Sequence, residues 1–157
     1  MSAEAKLAHK LAELALQLPP APEPKGLYKP LVVLGNLAYT SGHLPVEPSG
    51  GLVTGRLGAD LDVKAGQAAA LLTGLGILAT LRKGLGSLDR VRRVVKLLGV
   101  VNGTPEFTQQ PAVINGCSEL FAEIFGPEAG VGVRTALGAG SLPLGVPVEI
   151  EAVFEIQ

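Results

Sequence analysis

Between Val63 and Leu81 the chain runs through Ala, Gly and Leu with one charge, Lys64, and polar interruptions at Gln67, Thr73 and Thr80. A helix of this composition has almost no polar face to turn to water, so it must be covered on more than one side. Asp60 or Asp62 can cap its start and Gly84 or Gly86 can end it, which predicts a helix over Asp62–Leu85. The run is long enough to cross a bilayer. Lys64, Gln67 and the flanking Asp60, Asp62, Arg82 and Lys83 place it in a protein core instead. Its internal Gly66, Gly74 and Gly76 each cost a helix about 1 kcal/mol against alanine. The expected compensation is close approach to a sheet.

The rest of the chain supplies that sheet. Leu31–Leu34 and Leu37–Ser41 read as short strands joined at Gly35-Asn36, a pair suited to a tight hairpin. Leu88–Val101 is apolar and β-branched, and Val131–Ala139 and Val146–Ile156 read as the last two strands around a Ser141–Gly145 turn. Pro105–Phe125 reads as a second core helix whose start Pro111 delays. A first helix, about Ala3–Leu18, carries Leu7, Leu11, Leu14, Ala15 and Leu18 at helical spacing and stops at Pro19-Pro20. The order predicts an α+β fold: a mixed sheet with two core helices on one face, plus an N-terminal helix. Residues 1–25 form a helical extension with a Pro-rich link, and 26–157 the α+β domain.

Composition excludes several functions. One Cys and two His are too few for a structural zinc site or an internal disulfide. Net charge is −1, and Arg82, Lys83, Arg90, Arg92, Arg93 and Lys96 cluster without interleaved aromatics, so nucleic acid is not an expected partner. Met1–Leu18 holds no secretory apolar core and nothing reads as a membrane span, which predicts a cytoplasmic protein, with an organellar location left open. The chain is 47% hydrophobic but only 17% charged. That excess predicts apolar surface buried against copies of itself.

Few residues remain for chemistry. Along the last strand Val148, Ile150, Ala152, Phe154 and Ile156 share one face, and Glu149, Glu151, Val153 and Glu155 the other. In the strand before it, Arg134 alternates with Gly132, Ala136 and Gly138, small neighbours that give a guanidinium room to clamp a carboxylate. The same arginine could simply pair with Glu149 or Glu151. Tyr28 can cap a pocket or pack. Thr40-Ser41-Gly42-His43 can line a site or merely turn the chain. Asn115 stands in a helix it does little to stabilise, and Cys117 reads as a small buried hydrophobe.

Together these fragments resemble the Rid/YjgF family of reactive-intermediate deaminases over Gly26–Ile156. Gly26-Leu27-Tyr28 and Gly35–Pro45, with its Thr40-Ser41-Gly42, match early elements of the family. Asn115, Glu119 and Phe121 have the spacing of its helix. Arg134 through Leu142-Pro143 to Val148–Ala152 has that of its C-terminal signature. The resemblance implies a chorismate mutase-like fold, a homotrimer with clefts between subunits, and neither metal nor organic cofactor. It implies hydrolysis of enamine and imine acids, such as 2-aminoacrylate, 2-iminopropanoate or 2-iminobutanoate, to 2-keto acids and ammonia. Arg134 would bind the substrate carboxylate and Glu149 would position water. Tyr28 would close the cleft, and Ser41 and Asn115 would line it. The alternatives are a non-catalytic trimer that binds small carboxylates or 2-keto acids, and an RNA-directed translation inhibitor. The chain departs from the family in having Ala136 where Cys is common and His43 where Gln is usual, which marks a divergent subgroup.

Overall fold

Capping residues write the helix boundaries. In the computed structural model, which describes residues 1–157, helix α1 (Ala3–Leu14) starts at Ser2, whose hydroxyl accepts the Ala5 N–H at 3.1 Å. It stops four residues before the predicted Leu18, because Ala15 turns into the left-handed region (φ 53°) and its N–H closes on the last turn. Strands β1 (Leu31–Leu34) and β2 (Leu37–Thr40) follow, with Gly35 between them at φ 61°. Asp62 then caps α2 (Val63–Leu85) through the Ala65 N–H at 2.8 Å, and Gly86 ends it at φ 86°. One 3-10 turn, Leu88–Arg90, takes the place of the predicted strand start, and β3 runs over Val91–Asn102. Helix α3 (Gln110–Phe125) begins beside Pro111, as the proline requires. Strands β4 (Val133–Ala139) and β5 (Val148–Ile156) complete the chain.

The strands form one mixed sheet in the order β1-β2-β5-β3-β4, with β3 and β4 parallel and the other pairs antiparallel. This is the α+β architecture that the element order predicts. Ala38, Leu97, Val101, Val148, Ile150, Phe154 and Ile156 point to the helices and are buried. The Phe154 ring meets Phe121 and Phe125 at centroid distances of 5.6 and 6.1 Å. The other face carries no helix. Val32 and Leu137 on it are 47% and 43% exposed. Two register steps, between Val91 and Arg93 and between Val94 and Lys96, insert extra residues into β3. The first step inverts the alternation so that Val94 points inward opposite Phe154, and the second restores it, so that Leu97 points inward and Lys96 and Leu98 outward.

The glycines of α2 serve a different neighbour from the one predicted. A Cβ on Gly66 would press on Val113 and Leu57, and one on Gly74 on Cys117 and Leu120. On α3, a Cβ on Gly116 would strike the Gln67 carbonyl. The missing side chains at Gly66, Gly74 and Gly116 let the backbones of α2 and α3 approach each other, whereas Gly76 looks towards His43 and Gly84, in the last turn of α2, towards Leu31 of β1.

The N-terminal helix belongs to the same core, since Leu7 is fully buried within it. Its Glu4 carboxylate accepts from Arg82 Nε and Nη2 (3.3 and 2.5 Å) and from the Leu88 N–H (2.8 Å). Asp89 Oδ1 accepts the Glu4 N–H at 3.1 Å. The far end of the chain reaches the same turn: the Gln157 carbonyl accepts from Arg90 Nε and Nη2, and Gln157 Nε2 donates to the Asp89 carbonyl at 3.3 Å.

Candidate active site

Arg134 lies on the outermost strand, β4, in register with the buried Leu97 of β3. It therefore belongs to the helix-covered face, at its open edge. There its Nη1 donates to Asn115 Oδ1 (2.7 Å) and Ser118 Oγ (3.1 Å), one turn apart on α3. Its Nε and Nη2 make no hydrogen bond within the chain. Within the chain Arg134 pairs with no carboxylate, because Glu149 and Glu151 face the other side of the sheet. Nor do its small neighbours open a vestibule: Gly132 rides on the Val94 and Val95 carbonyls, Gly138 faces the Gln110 amide, and Ala136 packs on the core. Ser118 escaped the sequence reading. The one signal for it was its position three residues after Asn115.

Glu149 and Glu151 pair with Val100 and Leu98 on the bare face. They line a shallow cavity of about 240 Å³ with Gly42, Leu98 and Val100. Neither has an ion-pair partner in the chain. Gly42 is glycine for a local reason: a Cβ there would stand 2.6 Å from Glu149 Oε1. Burial, and then the charge of Glu151, push the Glu149 carboxyl above its ordinary value of 4.5. An acid so shifted is a better proton acceptor near neutral pH.

Ser41 precedes the Gly42 that Glu149 abuts, and Tyr28 lies in the loop tied to Ser41. The Ser41 hydroxyl donates to the Lys29 carbonyl (2.5 Å) and its N–H to the Pro30 carbonyl (2.9 Å), which ties the Tyr28 loop to the end of β2. Tyr28 is half exposed, and its hydroxyl accepts the Lys25 N–H at 3.4 Å. The predicted residues thus fall into two clusters. Arg134 and Asn115 stand at the β4 edge, while Glu149, Ser41 and Tyr28 gather around β2 and β5. Within one chain, β3 and the thickness of the sheet separate them, and only a second copy could bring Glu149 to Arg134.

Other candidates resolve as structure. His43 is buried: its Nδ1 meets the Ser41 carbonyl and its Nε2 the Thr80 hydroxyl, each at 2.7 Å. Burial lowers its pKa, opposed by the Ser41 bond. Burial pushes the Cys117 thiol far up, with the Arg134 charge opposing, so it stays a neutral core residue. The basic cluster is largely engaged within the chain: Arg82 on Glu4, Lys83 on Glu23, Arg90 and Arg92 on Gln157, and Arg93 on Glu155.

The family described as "YjgF/chorismate mutase-like, putative endoribonuclease" matches residues 8–151. Protein TCP17 of Trypanosoma cruzi is 43% identical over 155 residues, 99% of this chain and 97% of its own length. The structure of Atu1372 from Agrobacterium tumefaciens, a protein of unknown function, superposes with a TM-score of 0.90 at 44% identity, over 99% of this chain and 95% of that one. RidA from the Antarctic bacterium Psychrobacter sp. PAMC 21119 superposes with a TM-score of 0.61 at 28% identity, over 87% of this chain and 94% of that one.

Proposed function

The chain belongs to the YjgF/chorismate mutase-like family, and we propose that it hydrolyses short-lived 2-imino and enamino acids, such as 2-aminoacrylate, 2-iminopropanoate or 2-iminobutanoate, to 2-keto acids and ammonia. One observation carries the proposal: the Arg134 guanidinium is fixed through Nη1, and its Nε and Nη2 edge is left open. That edge has the two-pronged shape a carboxylate fills. An enamino acid first becomes the imine by moving a proton from its nitrogen to C3; the imine carbon is then electrophilic, so placement, a water and a proton relay suffice. Water adds to C2 while Glu149 takes its proton. The nitrogen takes that proton back from Glu149, then a second one from the carbinolamine hydroxyl, and ammonia leaves as the C–N bond breaks and the C=O forms. Atoms balance with water as the only co-reactant.

The working unit in this reading is a homotrimer in which the Arg134 edge of one copy meets the Glu149 face of the next, with Tyr28 at the mouth. Two features support it: the two site clusters on opposite faces, and the apolar side chains of Val32, Tyr39 and Leu137 on a face that no helix covers. The site of action in this reading is the cytoplasm. The test is to generate 2-iminobutanoate in situ with an amino-acid oxidase and follow its decay. Wild type should accelerate the decay, Arg134→Ala should lose at least roughly 100-fold of that acceleration, and Arg134→Lys should fare little better. No acceleration by wild type would end the reading. A non-catalytic carboxylate-binding trimer is the second reading, favoured by Ala136 in place of the common Cys. It predicts 2-keto acid binding, lost in Arg134→Ala, without turnover.

A further inference from the structure

We infer that Ser118 is a positioning residue that holds the Arg134 guanidinium in a single carboxylate-binding mode, side-on through Nε and Nη2. The inference rests on the reading of Arg134 as the carboxylate anchor and adds to it. A guanidinium can grip a carboxylate in two ways: end-on, with one N–H from each Nη, or side-on, with the Nε–H and one N–H of Nη2. Nη1 has two N–H bonds. In this chain Nη1 donates to Asn115 Oδ1 at 2.7 Å and to Ser118 Oγ at 3.1 Å, one N–H to each acceptor in the proposed arrangement. With both engaged, the end-on grip is closed and the side-on edge is what remains. Asn115 alone would leave one Nη1 N–H free and both grips available.

The local structure supports a purpose beyond helix stability. Asn115 and Ser118 share one face of α3, which keeps the two acceptors one turn apart. The helix backbones behind them are locked by the approach of Gly116 to the Gln67 carbonyl. Thr73 on α2 returns its hydroxyl to the carbonyl four residues earlier, as helical hydroxyls often do, whereas Ser118 Oγ takes part in no bond other than the one from Arg134. Fixing the grip fixes the direction in which C2 of the substrate leaves the guanidinium plane. That direction decides whether the carbon faces the water.

The consequence differs from a loss of affinity. Ser118→Ala opens the end-on grip, so substrate still binds but part of it binds in the wrong direction. With 2-iminobutanoate, kcat should fall about tenfold, the scale of one hydrogen bond to a charged group, while KM does not rise. Ser118→Thr, which keeps the hydroxyl, should restore kcat to within about twofold. A second readout needs no turnover. Pyruvate added to the nitrogen-15-labelled full chain should shift the Arg134 Nε–H resonance in wild type and Ser118→Thr, and shift it less in Ser118→Ala. A raised KM at unchanged kcat, a Ser118→Thr variant as poor as Ser118→Ala, or equal Nε–H shifts in all three would overturn the inference. If wild type turns over no imine yet the Nε–H shifts follow the expected order, the deaminase reading falls and the role of Ser118 stands. If pyruvate shifts no resonance, the reading of Arg134 as the carboxylate anchor falls and the role of Ser118 with it, whatever the imine-decay assay shows.

Discussion

The two faces of β5 divide the work of the molecule. Phe154 and Ile150 are fully buried against the helices, while Glu149 and Glu151, one residue away from Ile150, stand on the bare face without a charged partner. On the covered face the surroundings demand a shape: three aromatic rings meet edge to tilted face around Phe154. On the bare face they demand little, and that leaves room for a carboxylate with an altered pKa. A strand with one face committed to packing can carry chemistry on the other without endangering the fold.

The largest expected effect tests the packing side. Phe154→Ala should lose about 3–5 kcal/mol in urea unfolding, and Val153→Ala, one residue earlier and facing out, less than half as much. Equal losses would mean that the bare face is as fully buried as the core in the working assembly, which would redraw the division. Next comes Glu149→Gln, which should lower the imine-hydrolysis rate by roughly 10²–10⁴-fold without destabilising the chain. The sign follows from linkage. A carboxyl whose folded pKa is raised favours the fold while protonated, and that advantage disappears as pH rises through the folded value. Glu149→Gln should therefore be modestly more stable than wild type near pH 7 and indistinguishable from it near pH 4 in thermal unfolding. The smallest effect is the sharpest. Removing the neighbouring charge in Glu151→Gln should move the acidic limb of the pH–rate profile downwards, because that charge helps hold the Glu149 value up. An unmoved limb would assign the shift to burial alone.

Much of this was legible in the residues. Asp60 or Asp62 and Gly84 or Gly86 bracket the ends of α2, of which the structure uses Asp62 and Gly86, and Pro111 marks the start of α3, because caps and prolines act locally. The alternation along β5 sorted its core from its acids. What stayed hidden depends on partners distant in sequence. The glycines of α2 call for a close neighbour, but only the packed chain shows that for Gly66 and Gly74 the neighbour is α3. Parity placed Arg134 opposite Val133 and Thr135 without saying which set meets the helices. The answer comes from its register with Leu97, downstream of the irregularities in β3. Ser118 had no compositional signal at all, since a serine in a helix is ordinary until an arginine arrives from another strand.

The turn at Leu88–Arg90 gathers Glu4 from one end of the sequence and Gln157 from the other. Those hydrogen bonds close loops of 84 and 68 residues, so their entropy must be met before they contribute anything. We predict that these contacts form after the folding barrier and break before it in reverse. Glu4→Gln should accordingly steepen the loss of native protein with time, raising the unfolding arm of a chevron plot while leaving the refolding arm nearly in place. The turn would then act as a kinetic clasp, setting how long the native chain persists more than how quickly it forms.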